Sequence, residues 1–104
     1  MLFFIKLLFL FFLIKYNIFA KQINYTNVFK NILLEYNIIY DNLDAFKSGA
    51  IGVPYEINKV FSKYAVGFSH SIYKKQTAEQ IALNGCQEMK KKLISYDCKC
   101  ELIL

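Results

Sequence analysis

Cys86, Cys98 and Cys100 are the residues of this chain whose types and spacing most directly suggest chemistry. In an oxidising compartment three cysteines give one disulfide and one remaining thiol, and the residues themselves leave all three pairings open. Cys98-Lys99-Cys100 also admits a dithiol redox site in which Lys99 favours a thiolate, although the helix-start Cys-x-x-Cys motif is absent. Together with His70 the cysteines make four nitrogen and sulfur donors of the kind zinc takes. Their spacing is not that of a zinc knuckle, however, and oxidation competes for the thiols. No metal and no cofactor is assigned.

His70 stands between Ser69 and Ser71 at the end of a strand-like segment. Serine and histidine with a distant acid is too common a composition to specify a hydrolase. Glu79, Glu88 and Asp97 lack a pairing that would argue for acid–base work. No catalytic residue is assigned, and the chain reads as noncatalytic.

The elements that position these residues belong to a chain of 104 residues, enough for one small core. Its first 20 residues hold a short start ending at Lys6, an apolar run from Leu7 to Ile14 and a more polar tail ending at Ala20, the three regions of a secretory signal. An uncleaved anchor is the alternative, with Lys6 and Lys15 reaching toward the membrane surfaces. Loss of residues 1–20 lowers the net charge from +5 to +3. Without arginine, that excess gives too thin a footprint for nucleic acid.

Apolar residues then recur at helical steps from Val28 through Phe29, Ile32, Leu33, Tyr36, Ile39, Tyr40 and Leu43 to Phe46. This stripe predicts a helix over 27–47, started by Thr26 or Asn27 and stopped at Gly49, with the stripe as a core face or a partner-binding face. Ala50 to Tyr55 reads as a strand with Pro54 at an edge or near its end, and Tyr64 to Ser69 as a second strand. Thr77-Ala78-Glu79-Gln80 has the form of a capping box and predicts a helix over 78–92, with Ala78, Ile81, Ala82, Gly85, Cys86, Met89 and Leu93 inward. Glu79 and the lysines 90–92 complement its dipole. Cys98 to Leu104 alternates as a last strand, with Cys98, Cys100, Leu102 and Leu104 on one face.

Four segments in this order carry a resemblance: Gly49-Ala50-Ile51-Gly52, Tyr64 to Ser69, Ala78-Glu79-Gln80-Ile81-Ala82-Leu83-Asn84-Gly85-Cys86, and Asp97-Cys98-Lys99. Residues 49–104 resemble a family of small exported bacterial domains of unknown function, with an Ala-Glu-x-x-Ala-Leu-x-x-Cys helix and a second cysteine entering the last strand. The resemblance supports fold and export, adds no active site, and implies a Cys86–Cys98 disulfide. Cys100 is an addition to that pattern and would be the free or intermolecular thiol.

The expected fold class is α+β: a short antiparallel sheet of about three strands packed on one helix and preceded by an N-terminal helix. Residues 1–20 form the signal peptide, 21–48 the N-terminal helical segment and 49–104 the β-β-α-β domain. The expected function is a small exported, secreted or periplasmic, noncatalytic binding or interaction module with a protein or envelope partner. One alternative is a thiol-redox or disulfide-linked envelope protein using Cys98 and Cys100. Another is a membrane-anchored small subunit, the membrane being a partner only if the signal is uncleaved. Intact-mass analysis of the expressed protein should show loss of residues 1–20; a full-length species extracted from membranes would establish the anchor instead.

Overall fold

The computed structural model describes residues 23–56 and 59–104; the signal expected over 1–20 lies outside them. The elements are helix α1 (Tyr25–Glu35), a short 3-10 turn (Tyr40–Asn42), strands β1 (Ser48–Pro54) and β2 (Val66–Ser69), helix α2 (Lys75–Leu93) and strand β3 (Cys98–Leu102). The fold class is α+β, as expected from the sequence. β1 is the centre of an antiparallel sheet of order β2-β1-β3, with Ala50 opposite Gly67 on one side and Leu102 on the other.

Alternation along the strands divides side chains by size. Ala50, Gly52, Ala65, Gly67 and Ser69 face α2, whereas Ile51, Val53, Tyr64, Val66 and Phe68 face α1. The small-residue face lets α2 settle directly onto the strands, with Ala78, Ala82 and Cys86 buried beneath it. At Gly67 there is no room for a side chain, since a Cβ there would overlap Ala82 O and the amide nitrogen of Cys86. Gly85 completes the crossing, its own Cβ direction ending 3.3 Å from Gly67 Cα.

On the opposite face Phe29 and Leu33 of α1 join Tyr40, Ile51 and Tyr64 in a second buried cluster. Phe29 lies so close to Gly49 that a Cβ at that glycine would stand 2.6 Å from the Phe29 ring, and Phe29 meets Tyr40 edge-on at 5.4 Å. The sheet is therefore covered on both faces.

The helix expected over 27–47 is much shorter. Asn24, not Thr26 or Asn27, caps its start by accepting from the Asn27 amide at 3.1 Å. Its end is a Schellman turn: Asn37 has φ 63°, its amide donates to Leu34 O, and the Ile38 amide donates back to Leu33 O, both at 2.9 Å. Asparagine tolerates this left-handed geometry better than most residues. The turn splits the apolar stripe, leaving Tyr36, Ile39 and Phe46 exposed.

α2 also starts earlier than the capping motif suggests. Lys74 is its N-cap and makes no side-chain capping bond, so Thr77 falls inside the first turn. Gln80 donates to Asn84 Oδ1 at 2.9 Å, which commits its amide nitrogen to the next turn of the helix. Glu79 lies beyond the first turn, while the lysines at 90–92 occupy the last turn as expected.

Pro54 ends the central strand, not an edge strand. Gly52 N donates to Ala65 O at 2.8 Å, so the same register would ask residue 54 to donate to Lys63 O. Proline has no such hydrogen, and the Tyr96 hydroxyl donates to Lys63 O instead. The β1–β2 ladder stops there.

Gly67→Ala should cost about 3 kcal/mol or more, because the added methyl group meets helix backbone that cannot move alone. Gly85→Ala should lie within about 1 kcal/mol of neutral, since helix propensity offsets mild crowding. Chemical denaturation of the two variants checks this contrast; equal losses would show that Gly67 does not set the distance between helix and sheet.

Candidate functional site

The disulfide joins Cys86 to Cys100, with Cα atoms 6.0 Å apart, and Cys98 is the buried free cysteine. This corrects the expected Cys86–Cys98 pairing and the assignment of Cys100 as the spare thiol. Both strand cysteines do face α2, as their spacing requires, but the crossing at Gly67 decides between them. It places Cys86 over the row formed by Ala65, Gly52 and Cys100, where its sulfur lies 3.7 Å from Ala65 O. Cys98 is one row further along, opposite Pro54, with its sulfur directed toward Gly52.

Burial pushes the Cys98 thiol above its ordinary pKa; Lys90 opposes the rise and nearby Asp97 adds to it. A thiol that stays protonated is a poor nucleophile, so this setting opposes the dithiol reading. Cys100 is already bonded to Cys86.

The four proposed metal donors do not converge. His70 is exposed at the end of β2, its ring parallel to Phe68 and its Nδ1 3.1 Å from Ser71 Oγ. Ser69 is committed elsewhere, donating to Ala78 O at 2.6 Å and tying β2 to the first turns of α2. Among the described residues, no group of three or more His, Cys, Asp or Glu side chains could hold a metal ion. No described helix is long and apolar enough to cross a membrane.

A concavity among the described residues lies elsewhere. A groove of about 710 Å³ runs between α1, the 60–64 segment and the last turns of α2, walled by Val28, Ile32, Tyr36, Phe61, Met89 and Leu93. Its rim is apolar and open: Tyr36 is 64% exposed, Val60 77% and Leu93 53%. Glu35 and Lys63 bring charge to the same lining. The volume lies in the range of ordinary ligand and anchor-residue pockets.

An aromatic stack holds the 60–64 wall in place. Phe61 lies on Tyr96 with ring centroids 3.8 Å apart, and Tyr64 meets Phe61, Tyr96 and Tyr25 edge-on. The Phe61 amide donates to the Tyr64 hydroxyl at 3.1 Å. Burial, with smaller contributions from Cys98, Tyr64 and Tyr25, raises the Tyr96 phenol to about 12, so it remains a donor to Lys63 O throughout the neutral range. Sequence reasoning did not find this groove, although Tyr36 belonged to the stripe read as core or partner-binding. The missed signal was Asn37, which turns the chain and leaves Tyr36 outside the core.

Nonreducing peptide mapping should recover Cys86–Cys100, and Cys98 should resist alkylation until the protein unfolds. Cys86→Ser should cost about 3 kcal/mol through loss of the loop constraint, whereas Cys98→Ala should cost about 1 kcal/mol. Recovery of Cys86–Cys98 would reverse the assignment. The raised pKa values also predict alkaline destabilisation. The unfolded thiol and phenols ionise from their ordinary values of 9.0 and 10.0 upward, while the folded Cys98, Tyr25, Tyr40 and Tyr96 hold their protons. Stability should therefore be intact below about pH 9 and fall as pH rises past those values; denaturation midpoints measured against pH check the sign. No family model, no curated protein and no solved structure matches this chain.

Proposed function

We propose that this protein is a small exported, noncatalytic binding module that receives an apolar segment of a protein partner in the groove between α1 and the end of α2. The observation that carries this reading is the exposure of Tyr36, Val60 and Leu93 around one apolar concavity. Large apolar side chains gathered on a small surface mark interaction sites more often than isolated ones do. Aromatic walls held by stacking supply contact area with little further loss of freedom on binding. The segmented apolar start supports export, and a disulfide is compatible with an oxidising compartment.

An anilinonaphthalene sulfonate dye serves as an apolar probe of the groove. The folded protein should enhance its fluorescence, and the Tyr36→Asp, Val60→Asp double variant should lose most of that enhancement with its melting temperature unchanged. A protein captured by the tagged wild type from the exported fraction should likewise be lost with the variant. Equal dye binding by both proteins, or a captured partner indifferent to the substitutions, would overturn the groove as the binding site.

A further inference from the structure

The two edges of the sheet are not alike. Along β2 the outward-facing amide of Val66 is taken by Met89 Sδ at 3.3 Å, so α2 covers part of that edge. Along β3 the Ile103 amide donates to Gly49 O and the Tyr55 amide to Asp97 O. This alternation directs the odd-numbered residues toward β1 and turns the N–H and C=O groups of Cys98, Cys100 and Leu102 away from it. Among the described residues no hydrogen bond beyond the sheet's own ladder reaches those groups. α2 lies over β1 and β2 and touches β3 least, leaving the edge accessible.

The sequence of this edge complements itself. If two copies of β3 pair antiparallel about a twofold axis at Cys100, Cys100 faces its own counterpart and Cys98 faces Leu102 as hydrogen-bonded pairs. Lys99 then stands opposite Glu101 of the other copy in the closer, non-hydrogen-bonded position. The axis repeats that pair, so every exposed charge on the strand meets its opposite. Leu102, 38% exposed in the single chain, gains an apolar neighbour. The two α2 helices would lie on the same face about 19 Å apart, counting four strand spacings between them. That exceeds the roughly 10–12 Å diameter of a helix, so they do not collide.

We propose that the partner of the β3 edge is a second copy of this chain, and that the two sheets join into one of six strands through β3, with reciprocal Lys99–Glu101 pairs fixing the register. None of the β3 residues lines the groove, so this interface is independent of the binding reading above.

Sedimentation equilibrium of the purified protein tests it. The wild type should show a reversible monomer–dimer equilibrium. Lys99→Glu alone or Glu101→Lys alone should weaken it by about tenfold or more, since each replaces two attractive pairs with two repulsive ones. The combined Lys99→Glu, Glu101→Lys chain should recover wild-type affinity. Both residues are exposed, and unchanged melting of the variants' monomers separates loss of association from loss of folding. A wild type that stays monomeric at every concentration, or single variants that associate like the wild type, would overturn the proposal. A dimer abolished by Tyr36→Asp, Val60→Asp and unaffected at Lys99 would do the same, because it would place the contact at the groove.

Discussion

At Gly67 one helix backbone lies on one strand backbone with no side chain between them. That contact fixes the height of α2 above the sheet and its position along β2, because no neighbouring residue of either element permits so close an approach. The small residues nearby follow from it. Ala50, Ala65, Ala82 and Cys86 are buried around the crossing with almost no exposed surface. They contribute close contact more than apolar bulk, so the layer depends on shape.

The bulk is on the other face. Phe29, Leu33, Tyr40, Ile51 and Tyr64 form the cluster with the largest side chains, and the strands supply it through the positions that alternate with the small ones. The Cys86–Cys100 bridge secures the shape-dependent layer covalently, joining the helix to the strand it covers least. α1 is held by Phe29 against Gly49 and by the turn at Asn37, with Lys30 and Asp41 paired at 3.1 Å on the surface. An exposed pair of that kind adds little stability.

Where a local pattern decides structure, the sequence was informative. Period-two alternation in Tyr64 to Ser69 located a strand, and Ala78, Ala82 and Cys86 identified the face of α2 that meets the sheet, whereas Ile81 and Leu93, expected to face inward, are exposed. The helix expected over 27–47 failed because periodicity continues through Asn37 while the backbone does not; an asparagine followed by Ile38 can close a helix by packing back on Leu33. The capping motif at Thr77 failed because Lys74 starts the helix a turn earlier without any side-chain cap. The disulfide partner was beyond local reading altogether. Cys98 and Cys100 share a face, and only the position of α2 along the sheet, set at Gly67, distinguishes them. The groove was equally hidden, since it is assembled from α1, a loop and the far end of α2.

Pro54 shows how one absent atom can shape a surface. A strand residue with an amide hydrogen at that position would invite Lys63 into the ladder and carry β2 two residues further. Without it, the β1–β2 ladder ends at Gly52 and Ala65, and the phenol of Tyr96, 33 residues beyond Lys63, answers the orphaned carbonyl. In doing so it presents its ring to Phe61, and Phe61 becomes a wall. The boundary between framework and cavity is thus written as a hydrogen-bond vacancy, and the recess begins where the sheet runs out of donors.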